Sequence, residues 1–416
     1  MKRELKLTKR VKNIQYAIRD VILPAKKLAA RGKKLYYFNI GDPNKFDFDT
    51  PLFLKNAMKK VMNEKSGYYS VSEGEKKILK LIAKKESTAS VKLKPSDCIF
   101  TQGISEGINF LMASIMGKGK EILISSPAYP VFYQSAKFYD GEPVLYKTSE
   151  EDDWQPDIDD LRKKINKRTA GIVVINPNNP TGSVYSKKIL KKIVDISCEF
   201  DLPIISDEIY RELVFDEKST PILSIAKDAD IILFNGFSKA FLIPGWRAGY
   251  ACFYGSEKIQ KIKEGFLKLA RIRLCTCTPV QLALAKILSN ISALTNSKPN
   301  QKPSAHILKN IIKTNKKLKK RAEFAFRKLN SIPGITAVKP KGAFYIFPKV
   351  DLKAGGWKND KEFVLDVLKN TGLVLVHGSG FDPSIKAHFR SVILPPVKIM
   401  DEAFSKLERF MKRKIK

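Results

Sequence analysis

A lysine that follows a strand-like apolar run is placed to act as a nucleophile. In DIILFNGFSKAFLIPGWR, Lys239 comes just past the run DIILFN and Arg247 follows eight residues later. A lysine held in a dry site loses proton affinity and can attack a carbonyl carbon to give a Schiff base. The plainer reading is a surface lysine. LPIISDEIY sets Asp207 at the end of another apolar run, with Tyr210 three residues on. A carboxylate buried there needs a partner, because burial without one is costly. A structural ion pair would satisfy it equally. In GIVVINPNNPTG, two prolines and a glycine fix a sharp turn that aims Asn179 out of the strand end. CIFTQGISEG carries a glycine before a helix start, where backbone N–H groups and the helix dipole favour an anion. Many helices begin this way, so that motif says little alone.

These residues need a scaffold that gathers strand ends. Between about 95 and 255, apolar runs (CIF, EILISS, PVLY, GIVVI, LPIIS, DIILFN, GYACFY) alternate with helical patterns such as SEGINFLMASIM and SKKILKKIVDISCEF. That alternation predicts an α/β fold with a large, doubly wound, mostly parallel sheet. In such sheets functional residues collect at the carboxyl ends of the strands. Residues 304–331 predict one long helix with an apolar stripe, preceded by the polar linker NSKPNQKP. The remainder predicts a second, smaller α+β domain. It comprises a hairpin in ITAVKPKGAFYIFPKV, a helix KEFVLDVLKNTG ending at Gly372, strands LVLVHG and HFRSVIL, and a terminal helix. The expected organisation is an N-terminal segment and first part of the small domain at 1–50, a large domain at 51–300, and a long linking helix with the rest of the small domain at 301–416.

Composition narrows the class. The 416 residues hold 76 Lys+Arg against 42 Asp+Glu, a net charge of +34. Nucleic acid is the obvious partner for such a charge. However, the lysines are spread along the whole chain (KKLAARGKK, KKILKLIAKK, KTNKKLKKR), mostly on amphipathic helical patterns without interleaved aromatics. We therefore expect solvated lysine faces and no specific nucleic-acid partner. No run approaches the ~20 apolar residues of a membrane span. The basic N-terminus lacks the apolar core of a secretory signal, and its glutamate and want of serine argue against a transit peptide, so a cytoplasmic location is expected. Five scattered cysteines, of which only Cys275 and Cys277 are close in sequence, do not form a disulfide framework. Three histidines lack zinc spacing.

Taken together, the motifs suit pyridoxal phosphate, which needs a lysine for its aldehyde, a carboxylate for its pyridine nitrogen and donors for O3′ and phosphate. The chain resembles the fold-type I, class I/II pyridoxal-phosphate aminotransferases over essentially its full length, and within them the archaeal and bacterial alanine aminotransferases. The resemblance is carried by NIGDPNKFDFDTP, WQPDIDDLRKKI, NPNNPTG, SDEIY, ARIRLC, KGAFYIFP, WKNDKEFVLDVL and VHGSGF…HFR. It departs from many relatives in reading GDPNKFDFDTP for a shorter GEPDFDTP, the longer form being that of the alanine-type enzymes. The stretch 296–303 reads as a surface insertion.

The resemblance implies a role for each residue of these motifs. By it, Lys239 carries the cofactor and shuttles the substrate proton. Asp207 partners the pyridinium, Tyr210 and Asn179 hold O3′, and Tyr129 stacks on the ring. Ser105 with the Ile104 backbone, Ser238 and Arg247 form the phosphate cup. Tyr69 reaches the phosphate of a partner subunit, so the unit is a homodimer with shared sites. Arg390 and the Gly41 backbone grip the α-carboxylate, since an arginine fork matches a carboxylate bidentately. Tyr16 and Arg19, three apart on one helical face, make a wall and a distal-carboxylate partner, with Tyr129 as second wall. Arg271 and Arg273 are weaker candidates for that cation. The implied reaction is ping-pong transfer from L-alanine to 2-oxoglutarate. An aromatic or aspartate transaminase, or a β-eliminating lyase, would fit the same scaffold. A basic binding protein on an inactive enzyme fold is the remaining rival, opposed by the intact Lys–Asp–Arg set.

Overall fold

The computed structural model of the chain describes residues 6–12, 14, 21–226, 228–292 and 303–415. Tyr16, Arg19 and the stretch 296–302 lie outside them. The strands, numbered along the chain, are β1 (Tyr36–Tyr37), β2 (Cys98–Gln102), β3 (Glu121–Ser126), β4 (Glu142–Ser149), β5 (Gln155–Pro156), β6 (Thr169–Ile175), β7 (Ile204–Asp207) and β8 (Ile231–Gly236). They continue with β9 (Ala248–Tyr254), β10 (Ile335–Thr336), β11 (Tyr345–Ile346), β12 (Lys349–Val350), β13 (Leu373–Val374), β14 (Val376–His377) and β15 (Phe389–Val392).

Eight strands make the main sheet, in the order β2-β9-β8-β7-β6-β3-β4-β5. Its centre, from β8 to β4, is parallel. Only the pairs involving β9 and the short β5 are antiparallel. A parallel sheet is covered by helices on both faces, so its strands are apolar on both sides. Ile231, Ile232, Leu233 and Phe234 accordingly succeed one another with none exposed. The covering helix Lys187–Glu199 shows how charge and core are kept apart. Ser186 caps it by accepting from the Ile189 N–H at 3.2 Å. Leu190, Ile193, Val194 and Ser197 face the sheet, while Lys187, Lys188, Lys191 and Lys192 are exposed.

The smaller part joins both chain ends. β1 pairs in parallel with β13, and Phe38 packs on Phe404 with ring centroids 5.3 Å apart. The helix Asp360–Thr371 starts at Asn359, whose side chain accepts from the Glu362 N–H, and stops at Gly372 in the left-handed region. Two readings need correction. LVLVHG is not one strand: β13 serves β1 while β14 pairs with β15, and the chain changes partners at Leu375. ITAVKPKGAFYIFPKV closes a hairpin only at its ends, β10 on β12, because β11 pairs instead with β15. One apolar core runs continuously through both parts. All five cysteines are free thiols. The closest approach is Cys98 to Cys252, facing each other across β2 and β9 with sulfurs 3.4 Å apart. Among the described residues no helix is long and apolar enough to cross a membrane.

Behind the β7 strand end lies a buried ion cluster. Glu86 accepts from Arg211 at 2.6 and 2.8 Å, from Lys85 at 2.8 Å and from the Tyr250 hydroxyl at 2.6 Å. Arg211 also reaches Glu208 at 2.9 Å. Burial alone would raise the Glu86 carboxyl, but the adjacent Arg211 and Lys85 hold it well below the usual carboxylate range. Glu86→Ala strips Arg211, Lys85 and Tyr250 of a shared acceptor, leaving Glu208 and Glu212 as the countercharge, so it is expected to cost ~1–3 kcal/mol, read as a lower urea midpoint at unchanged slope. An unchanged midpoint would show that the cluster does not hold the fold.

Candidate active site

A cavity of about 240 Å³ opens at the carboxyl ends of the central strands. It is lined by eleven of the residues anticipated from sequence: Gly41, Ile104, Ser105, Tyr129, Asn179, Asp207, Tyr210, Ser238, Lys239, Arg247 and Arg390. They come from different strand ends because a parallel sheet points all its carboxyl ends one way. Ser105 follows β2, Tyr129 follows β3, Asn179 follows β6, Asp207 ends β7, Lys239 follows β8 and Arg247 precedes β9.

One end of the cavity suits an anion. The helix Ile104–Ile115 begins there, with Ile104 and Ser105 in its first turn. Arg247 donates to the carbonyls of Pro244 (3.0 Å) and Gln102 (3.3 Å), which holds its guanidinium beside that turn. Gly103 makes this possible: its φ is +73°, and a Cβ there would collide with the Arg247 guanidinium. Ser238 completes this rim.

The middle holds the titratable groups. Burial pushes the Asp207 carboxyl up to about 7, against the Ile209 N–H that donates to it at 3.1 Å. A carboxyl in that state takes a proton or a cation readily, which fits a pyridinium nitrogen. Burial pushes the Lys239 amine down to about 8, opposed by Asp42 and reinforced by Arg390 and Arg247. Above that pH the amine is neutral and nucleophilic. Lys239 Nζ donates to the Gly41 carbonyl at 2.8 Å. Buried Tyr210 points its hydroxyl at that of Tyr345, 2.7 Å away.

The far end holds a buried arginine fork, which suits a carboxylate. Arg390 is fully buried and donates to Asn179 Oδ1 at 3.0 Å and to the Asn39 carbonyl. Its guanidinium lies over the rings of Tyr345 (4.5 Å) and Phe381 (4.8 Å). Asn179 is aimed by the NPNNPTG turn, in which Asn178 Oδ1 accepts from Thr181 and Asn178 O from Gly182 N–H. Gly182, at φ +74°, has no room for a Cβ against the Tyr345 carbonyl.

Some expected residues stand elsewhere. Tyr69 does not line this chain's cavity and is 79% exposed. Arg271 and Arg273 are not in the cavity wall. The first lies 3.7 Å from Glu73, and the second 3.5 Å from Glu106 with a bond to the Ser72 carbonyl. The reading of motifs missed Ile40, Ile175, Ile209, Pro244 and Tyr345. Only Tyr345 offered a signal, as the one hydroxyl inside the apolar motif KGAFYIFP.

The cavity thus combines an anion seat, a depressed amine, a buried carboxyl and an arginine fork, the set that pyridoxal phosphate and an amino acid require. The family model for aminotransferase class I and II matches residues 35–405. The glutamate-pyruvate aminotransferase AlaA of Escherichia coli K12 is 35% identical over 97% of this chain and 96% of its own. An alanine aminotransferase of Mycobacterium bovis is 33% identical over 97% and 91%. The solved alanine aminotransferase of Pyrococcus furiosus is 44% identical, with a TM-score of 0.91 over 98% of this chain and 100% of that one. The chain belongs to the class I and II aminotransferases, pyridoxal-phosphate enzymes of fold type I.

Proposed function

We propose that the chain transfers the amino group of L-alanine to 2-oxoglutarate, giving pyruvate and L-glutamate in a ping-pong cycle. The observation that carries amino transfer is the juxtaposition, in one cavity, of the Lys239 amine on the Gly41 carbonyl with Arg390 on Asn179. The choice of alanine rests on similarity to chains named for alanine and glutamate–pyruvate transfer.

Pyridoxal phosphate supplies an aldehyde and an electron-accepting ring at this site. Ile104 N–H, Ser105, Ser238 and Arg247 would seat its phosphate, Tyr129 would cover its ring, Asp207 would partner its ring nitrogen, and Tyr210 and Asn179 would bond O3′. Arg390 and Gly41 fix the substrate carboxylate, so the α-hydrogen is presented to the Lys239 amine. With its proton affinity lowered by burial, that amine is the group here that would take the α-proton and return it. We place Tyr16 and Tyr129 as side-chain walls and Arg19 as partner of the distal carboxylate of glutamate. The same reading divides the chain at 1–50, 51–300 and 301–416 and puts it in the cytoplasm.

The shared site needs a second copy. Tyr69, Val71, Ile272 and Leu274 are all exposed apolar side chains. Their segments are tied together by Thr278 on the Tyr68 carbonyl (2.8 Å) and Arg273 on the Ser72 carbonyl (3.2 Å). Exposed apolar side chains on two joined segments suit a partner subunit, with Tyr69 reaching that subunit's phosphate seat.

A screen of amino acids in the first half-reaction tests the substrate. Alanine and glutamate are expected to convert the cofactor fastest, and Arg19→Ala to cut kcat/KM for glutamate roughly 10- to 150-fold while sparing alanine. Aspartate or an aromatic amino acid ahead of alanine would overturn the assignment. Mixing Tyr69→Ala with Lys239→Ala, each inactive alone, is expected to restore activity, because one hybrid site regains both residues. A fully active monomer by light scattering would contradict the shared site.

A further inference from the structure

Tyr345 lines the cavity, and the proposed reaction gives it no task. We infer that Tyr345 is a positioning residue that ties the carboxylate grip of Arg390 and Gly41 to Tyr210 at the cofactor's O3′, an inference that rests on the proposed amino transfer.

The tie follows from strand register. β11 pairs antiparallel with β15, Tyr345 opposite Val392. Residues directly opposite share a face, and so do alternate residues along a strand, so Arg390 is the diagonal neighbour of Tyr345 on one face. The Arg390 guanidinium lies 4.5 Å over the Tyr345 ring in consequence. On its other side the phenol oxygen is 2.7 Å from the Tyr210 hydroxyl, with the two rings edge-on at 83°. A Cβ on Gly41 would collide with that same oxygen, so glycine is what lets the hydroxyl reach Tyr210. The backbone is anchored too. Lys341 and Gly342 N–H both donate to the Gly182 carbonyl at 2.9 Å, joining this segment to the turn that carries Asn179.

Packing alone would be met by phenylalanine; a buried phenol calls for a hydrogen-bond partner, and here that partner is Tyr210. With Tyr210 donating to O3′, Tyr345 is left as the donor between the two phenols. A donor into the Tyr210 oxygen strengthens donation by Tyr210 itself. With the cofactor bound, charge would thereby be drawn from O3′, and the proton shared between O3′ and the nitrogen of Lys239 would be released at lower pH.

The ring and the hydroxyl have separable effects, and two substitutions in the full-length holoenzyme read them. Tyr345→Phe keeps the ring under Arg390 and removes the hydroxyl. The pH midpoint of the cofactor's visible absorbance is expected to rise by roughly 0.3–1 unit, the scale of one hydrogen bond, with KM for L-alanine close to that of the unmodified enzyme. Tyr345→Leu removes both, and KM is expected to rise a further roughly 3- to 30-fold, the scale of a buried cation–π contact. An unmoved midpoint in Tyr345→Phe overturns the inference, as does a KM in Tyr345→Leu no higher than in Tyr345→Phe. Failure of the underlying function would show first in the unmodified enzyme, as absence of a visible band or of alanine turnover.

Discussion

The chemistry of this site depends on lowering one amine's hold on its proton. Lys239 sits among two guanidinium groups in a cavity whose burial lowers it to about 8. A lysine in water holds its proton to about 10.4 and is a poor nucleophile at neutral pH. The same burial raises Asp207 to about 7. One low-dielectric environment therefore moves an amine and a carboxyl toward each other, and both end near the pH at which proton transfer between groups is easiest. In both, taking charge out of water is the largest cause; Arg390 and Arg247 add to it at Lys239, and Glu208 adds to it at Asp207.

That environment is built by the sheet. β6, β7 and β8 are buried along nearly their whole length, and Asp207 at the end of β7, with Asn179 and Lys239 just past the ends of β6 and β8, stand in the cavity wall. The ion cluster of Glu86, Arg211, Lys85 and Glu208 stands just behind Asp207, so the turn from Asp207 to Tyr210 is held from the side away from the cavity. The smaller part contributes the opposite wall. Arg390 on β15 and Tyr345 on β11 are set by the register of a short antiparallel pair. The cavity is the seam between the large sheet and this smaller part; at Gly182 their backbones come too close for a side chain, and at Gly41 a Cβ would meet the Tyr345 phenol.

Much of this could be read from sequence because the local signals were strong. Most main-sheet strands carry an apolar run and the site motifs follow such runs, so strand ends and polar turns identified one another, whereas the two-residue β5, Gln155–Pro156, gave no such signal. Gly372 marked a helix end for the same local reason. What escaped depends on contacts between distant residues. LVLVHG looks uniform, yet its two halves answer to β1 and β15, and nothing in six residues announces a change of partner. Cys98 and Cys252 meet only because β2 and β9 are neighbours, 154 residues apart. Tyr345 looks like one more aromatic in a core motif until the register with Arg390 is known. Arg271 and Arg273 looked available as cations because their acidic neighbours, Glu73 and Glu106, are remote in sequence.

The central claim is that the depressed amine of Lys239 carries the cofactor. Its most direct test is to reduce the yellow enzyme with borohydride, digest it and locate the fixed pyridoxyl group by mass spectrometry. The account predicts a single modified peptide with the group on Lys239 and none in Lys239→Ala. A pyridoxyl group fixed on another lysine, or equally in Lys239→Ala, would contradict it.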